Sequence, residues 1–163
     1  MKTEVGEQLV GAYLKLVKEC EFISYNVRPN TGGLEGLGEM DVIGFDYPDD
    51  TVYICEVVTH LRGTLYKNYD ATITKIKEKH SRQKKYAAKY LKDFSIQVFQ
   101  LWSPVVPRGA LLDQMRHIEG IDVVVNEDYA RCVDELLELA KTRLDDTGND
   151  VFRVFQILGA LRR

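Results

Sequence analysis

Three carboxylates stand among apolar residues in the segment 38–60, GEMDVIGFDYPDDTVYICEVVTH. Glu39 and Asp41 lie before a Tyr-Pro-Asp-Asp turn, and Glu56 lies after it. Apolar residues alternate on both sides of the turn, which predicts two antiparallel strands. Carboxylate oxygens are the ligands that Mg²⁺ and Mn²⁺ prefer in proteins, so acids inside such strands indicate a possible metal site.

The turn fixes which residues of the two strands face each other. If it is centred between Pro48 and Asp49, the pairs on one sheet face are Asp41 with Glu56, Ile43 with Ile54, and Phe45 with Val52. Glu39 follows at the same end of this face, opposite Val58. Like charges in opposed positions destabilise each other, and a divalent cation would offset that repulsion. The alternatives are acids that mark strand ends on a solvated face, or one acid that stays protonated.

Several other elements must hold this hairpin in place. Apolar spacing and turn signals predict, in order, a helix at 4–20, a strand at 21–29, a Gly-rich loop at 30–38, the hairpin, a charged helix at 70–92, a strand in 94–107, a short helix at 109–117, a strand at 121–125, and helices at 127–144 and 150–163. Gly32, Gly33, Gly36 and Gly38 match no nucleotide-binding signature and predict a mobile loop beside the carboxylates. The order αβββαβ, then α, β, α, α, predicts an α/β fold.

Length and composition indicate one domain with a continuous core. The chain has 163 residues, of which 45% are hydrophobic. No signal-peptide pattern and no apolar run of membrane-spanning length occurs, so we expect a soluble, cytoplasmic protein without membrane contact. The three cysteines and three histidines are scattered, which supports neither a disulfide framework nor a zinc site.

Charge is distributed unevenly along the chain. The net charge is −3, yet residues 62–92 hold ten Lys or Arg and only two acids. A basic stripe of this kind attracts phosphates by counterion release whatever the rest of the molecule carries. A solvated, lysine-rich helix face is the alternative.

GEMDVIGFD, a short turn and YICEVVTH together resemble the core of the PD-(D/E)XK nuclease superfamily, in its restriction-endonuclease-like and Holliday-junction-resolvase-like branches. The resemblance covers about residues 4–102 and leaves 103–163 as a C-terminal extension with a further strand and helices. It implies an αβββαβ core with a mixed central sheet flanked by helices, and hydrolysis of DNA phosphodiesters with Mg²⁺ or Mn²⁺. The residues that it assigns to the metal are Glu7, Glu39, Asp41, Glu56 and the carbonyl of Val57.

The chain departs from this family at one position. The family carries a catalytic lysine two residues after the acid on the second strand of the hairpin. This chain has Val58 at that position. Lys79 on the basic helix is our first candidate for the replacement, and His60 is the second. If neither substitutes, the protein has kept the fold as a nucleic-acid-binding or protein-interaction module without catalysis.

The basic helix supplies further candidates. Gln83 is similar to a residue that orients a metal-bound water or a phosphate in such nucleases, and Tyr86 lies three residues later. The residues predicted to contact DNA, with branched and single-stranded forms among the candidate substrates, are Lys75, Arg82, Lys84, Lys85, Tyr86 and Lys89. A tyrosine that packs on the sheet is the alternative for Tyr86. The last helix has more apolar surface than one packed face needs, which predicts either packing on the sheet or a homodimer.

Overall fold

The protein is represented by a computed structural model that describes residues 2–29 and 38–162. Within these residues the chain forms five helices and five strands. In chain order they are α1 (Val5–Leu16), β1 (Phe22–Val27), β2 (Met40–Asp46), β3 (Thr51–Val57), α2 (Tyr69–Tyr90), β4 (Ile96–Ser103), α3 (Ala110–Arg116), β5 (Asp122–Val125), α4 (Glu127–Thr142) and α5 (Asp150–Leu161). This order is the one predicted from the sequence. The glycines at 32, 33 and 36 in the predicted mobile loop lie outside the described residues.

The strands form one mixed sheet in the order β1-β2-β3-β4-β5. β1, β2 and β3 are antiparallel neighbours, whereas β4 runs parallel to β3 and β5 runs parallel to β4. The parallel step from β3 to β4 crosses over through α2, since parallel neighbours need such a connection. The C-terminal extension therefore continues the sheet that the first half of the chain begins.

The predicted pairing within the hairpin is confirmed. Ile43 lies opposite Ile54 and Phe45 lies opposite Val52, as expected from a turn centred between Pro48 and Asp49. The backbone N–H of Asp50 donates to the carbonyl of Tyr47 at 3.2 Å, which closes the turn. The turn thus sets the register that brings the carboxylates of β2 and β3 to one end of the sheet.

Helices cover both faces of the sheet. α1, α4 and α5 enclose one part of the core, whose largest members include Leu14, Trp102, Leu136 and Phe152. α2 and α3 cover the other face, where Ile43, Ile54, Ile76, Leu101 and Met115 are buried. Trp102 is 1% exposed and belongs to the core. No helix in the described part of the chain is long and apolar enough to cross a bilayer.

α1 approaches the sheet closely because Gly11 faces it. A Cβ at Gly11 would overlap the hydroxyl of Tyr25 on β1, and it would lie 2.6 Å from the ring carbon that bears this hydroxyl. The helix therefore depends on the absence of a side chain at this position. Gly159 on α5 differs, since a Cβ there meets no atom nearer than 3.6 Å.

These two helical glycines give a matched test of the packing. Gly11→Ala should lower the free energy of unfolding by about 1–3 kcal/mol, because the new methyl group forces α1 away from β1. Gly159→Ala should raise it by about 0.5–1 kcal/mol, because alanine restricts the unfolded chain more than glycine does. Urea titration followed by circular dichroism measures both values. Equal effects of the two substitutions would contradict the close approach of α1 to the sheet.

Candidate functional site

Asp41 and Glu56 lie where β2 and β3 come together at one end of the sheet. Asp41 is one residue beyond the pair formed by Val42 and Cys55. Its Oδ2 accepts a hydrogen bond of 2.8 Å from the backbone N–H of Val57. Glu56 is 2% exposed. Two carboxylates are therefore held at adjacent positions with little access to water, as the register predicts.

Lys79 reaches this site from α2. Its Nζ donates to Oε2 of Glu56 at 2.6 Å, and the two side chains are 18% and 3% exposed. Lys79 was the first candidate to replace the lysine missing at Val58, and the structure places it against the strand carboxylate. An ammonium ion in this position neutralises Glu56 and lies beside Asp41.

Glu7 adds a third buried carboxylate from the first turn of α1. Its Oε2 accepts hydrogen bonds from the backbone N–H of Glu4 at 2.9 Å and from Nδ2 of Asn26 at 3.0 Å. The start of α1 packs against the end of β3, since a Cβ at Gly6 would lie 3.2 Å from side-chain atoms of Val57 and Thr59. This packing brings the start of α1 to the end of β3, where Glu7 contributes a weak repulsive charge at Asp41.

Asn26 is a site residue that the sequence analysis did not identify. It lies on β1 between the paired positions Tyr25–Val42 and Val27–Met40, with φ of +51°. Asparagine tolerates this left-handed conformation better than most residues. The alternation of EFISYNVRP predicts a regular strand, so only the preference of asparagine for such conformations could have indicated the irregularity.

Burial and charge perturb both titratable partners of Glu56. Burial, together with the negative charge of Glu56, raises the pKa of Asp41 to about 7, although the Val57 hydrogen bond and Lys79 act in the opposite direction. Burial lowers the pKa of Lys79, but the attraction of Glu56 outweighs it and the net shift is upward. Lys79 is therefore a fixed cation, whereas Asp41 changes its protonation state near neutral pH.

Glu39 does not join the other carboxylates. It forms an ion pair with Arg28, whose Nη2 lies 2.8 Å from its Oε2. This pair continues the β1–β2 register one step beyond Val27 and Met40. The prediction of Glu39 as a metal ligand did not anticipate this partner, which follows the end of β1. The other oxygen of Glu39, Oε1, is buried and has no hydrogen-bond partner among the described residues.

The other two candidate catalytic residues, His60 and Gln83, differ in their exposure to solvent. His60 is exposed beyond the end of β3, with its ring edge-on to Tyr66 at 6.2 Å between centroids. Gln83 is fully buried, and its Nε2 donates to the carbonyls of Ile54 and Gln100 at 2.9 and 3.1 Å. The amide of Gln83 thus ties α2 to β3 and β4, which leaves no free donor to orient a water or a phosphate.

The predicted DNA contacts of α2 divide into three groups. Lys75, Arg82 and Lys89 are spaced by two helical turns, so they lie along one side of the helix, on the flank that also carries Lys79. Lys84 is on the other flank, and Lys84 and Lys85 are both exposed. Tyr86 is 7% exposed and packs into the core with Met40 and Ile43, in keeping with the alternative of a tyrosine on the sheet. Tyr86 therefore offers little surface to a nucleic acid.

The site offers negatively charged oxygen ligands to a divalent cation, but only a few of them. Among residues 2–29 and 38–162, no three His, Cys, Asp or Glu side chains are grouped closely enough to hold a metal ion. Asp41 and Glu56 fit Mg²⁺, which commonly binds through one or two carboxylates and keeps several waters. Burial and the negative charge of Glu56 raise the pKa of Asp41, so this carboxyl would have to lose a proton to bind a cation near neutral pH.

No family model, no curated protein and no solved structure matches the chain.

The perturbed carboxyl of Asp41 predicts a pH-dependent stability. Its pKa in the folded protein, about 7, lies above the value of about 4 in an unfolded chain, so the folded state holds an extra proton between these values. The free energy of unfolding should consequently fall as the pH rises from 4 to 7. Asp41→Asn keeps an acceptor for the Val57 N–H and removes the charge, so its free energy of unfolding relative to that of the wild type should increase by about 4 kcal/mol between pH 4 and pH 8.

Urea unfolding in EDTA, at intervals between pH 4 and pH 8, measures this difference. Asp134→Asn, at an exposed position on α4, is the control and should follow the wild type at every pH. A constant difference between Asp41→Asn and the wild type would show that Asp41 does not titrate in this range.

Proposed function

We propose that this protein is a divalent-metal-dependent phosphodiester hydrolase that acts on DNA, with a restriction-endonuclease-like core. The contact between Lys79 and Glu56, beside Asp41, is the main support for the proposal. Through it, α2 supplies the two strand acids with a lysine, in place of the one that is missing at Val58. The topology supports it as well: an antiparallel β1-β2-β3 unit follows α1, and β4 is parallel to β3 after α2, as the resemblance implies.

In this proposal Asp41 and Glu56 bind Mg²⁺ or Mn²⁺, and the main chain of Val57 lies next to them. A bound ion supplies an activated water and neutralises charge on the phosphate. Lys79 holds a positive charge at Glu56, where it stabilises the negative charge that develops on the phosphoryl oxygens. Lys75, Arg82 and Lys89 on the same flank of α2 attract the DNA backbone without reading its sequence.

A second candidate is a protein that has kept this arrangement and lost catalysis. Two observations favour it: Glu39 is paired with Arg28, and Gln83 is committed to the sheet carbonyls. A module of this kind binds DNA or another protein through its surface and hydrolyses nothing. Binding of Mn²⁺ and DNA without cleavage would identify this candidate.

Cleavage assays on α2 variants test the role of Lys79. We expect Lys79→Gln to slow the nicking of plasmid and branched DNA by about 10²–10³-fold, because it removes a fixed charge from the reacting phosphate. Lys79→Arg keeps the charge and should retain more activity. Lys77→Gln, at an exposed position on α2, should retain full activity. Thermal unfolding of each variant must accompany the assay, since a buried Glu56 without its cation also destabilises the fold.

Equal rates for Lys79→Gln and Lys77→Gln would exclude a catalytic role of Lys79. If the wild type cleaves neither linear nor branched DNA with Mg²⁺ or Mn²⁺, the hydrolase proposal fails and the non-catalytic candidate is left.

Metal affinity should depend on pH through Asp41. A cation binds the deprotonated carboxylate and must displace the proton that Asp41 holds below about pH 7. Calorimetric titration with Mn²⁺ should therefore show an affinity that rises about tenfold per pH unit up to pH 7 and then levels off. Asp41→Ala should bind Mn²⁺ much more weakly at every pH. An affinity that is constant between pH 5 and pH 7 would contradict Asp41 as a ligand.

A further inference from the structure

An open groove lies at the N-terminal end of α2, outside the cluster of carboxylates. Its volume is about 650 Å³, within the usual range of ligand sites. Leu65, Tyr66 and Lys67 form the side that belongs to the loop before α2, and Thr74, Lys75 and Glu78 are among the residues on the helix side. The groove thus combines one aromatic ring, apolar surface and two cations.

This groove lies near the candidate active site, because residues of its helix side are close neighbours of Lys79 on α2. Glu78 precedes Lys79 directly on α2, and Lys75 lies one turn before it. Tyr66 is close enough to Lys79 for the two side chains to interact electrostatically. If a phosphate of a DNA strand is held near Lys79 and Glu56, the neighbouring nucleotide of that DNA strand can therefore reach the groove.

The loop that carries Tyr66 is held in place before any ligand arrives. The backbone N–H of Tyr66 donates to Oγ1 of Thr72 at 2.8 Å, and its carbonyl accepts from the N–H of Asn68 at 2.6 Å. Thr72 is fully buried, and Lys67 has φ of +58°, a conformation that lysine rarely adopts. A half-exposed ring on so constrained a loop loses little freedom when it contacts a ligand.

The lining suits a nucleotide whose base is not paired. Aromatic side chains stack on unpaired bases of any sequence, whereas in a duplex the faces of the bases are already covered by their neighbours. Lys67 and Lys75 carry two positive charges against the single negative charge of Glu78, so the groove also attracts the phosphates on either side of that base.

From these contacts we infer that the groove binds an unpaired nucleotide of a DNA strand, with its base against Tyr66 and its phosphates near Lys67 and Lys75. The inference rests on the proposed function in that it takes DNA as the substrate. It adds that single-stranded, frayed or branched DNA binds better than an uninterrupted duplex.

Binding measured without metal separates this inference from the hydrolase proposal. Fluorescence anisotropy in EDTA compares a labelled oligothymidylate with a hairpin-closed duplex at low salt. The wild type should prefer the single strand, and Tyr66→Ala should weaken single-strand binding about 5- to 150-fold, with little effect on the duplex. Tyr66→Phe keeps the ring and should bind as the wild type does. Tyr69→Ala removes an exposed tyrosine of α2 outside the groove and should also bind normally.

A second measurement uses the unaltered protein, so it does not depend on the folding of a variant. Photo-crosslinking of an oligonucleotide that contains iodouracil, followed by mass spectrometry, should identify Tyr66 as the attachment site. Equal single-strand affinity of Tyr66→Ala and the wild type, or crosslinks confined to other elements, would overturn the inference that the groove binds a nucleotide. The hydrolase proposal would then still be supported if the wild type cleaves DNA. A wild type that binds no single strand would overturn the inference too, and Mn²⁺ titration would then test the metal site by itself.

Discussion

The ion pair between Lys79 and Glu56 joins the long helix α2 to β3, the central strand of the sheet. Both side chains are removed from most of the water around the protein. Separating such a pair leaves an uncompensated charge in a medium of low dielectric constant, which is strongly unfavourable. This contact therefore helps to fix the position of α2, and with it the position of the cations on its site-facing flank.

α2 needs this anchor because its apolar face is narrow. Ile76 and Ala87 are buried along it, but Thr72, His80 and Gln83 are buried as well. Gln83 compensates by donating to carbonyls of β3 and β4, so polar contacts replace part of the apolar packing that usually attaches a helix to a sheet. The same contacts that hold the helix fix the distance between its lysines and the strand carboxylates.

Sequence patterns predicted the order of the elements and the register of the hairpin, because both follow from local signals. The two-residue turn at Pro48 and Asp49 determined which residues of β2 and β3 share a face. Partners from distant segments left no such signal. The pairing of Glu39 with Arg28 depends on how β1 joins β2, and the position of His60 depends on where β3 ends. Lys79 was a candidate because the basic helix follows the hairpin and can supply the lysine missing at Val58, but its contact with Glu56 depends on the packing of α2.

The state of Asp41 links the fold to the proposed chemistry. Asp41 and Glu56 lie beside one ammonium ion, and burial together with repulsion from Glu56 keeps a proton on Asp41 up to about pH 7. A divalent cation relieves the same repulsion and brings ordered water with it. In the proposed metal site, the proton and the metal ion would therefore compete for the oxygens of Asp41, which lies beside the buried carboxylate of Glu56. The cation would gain over the proton as the pH approaches neutrality, because fewer protons are then available to Asp41.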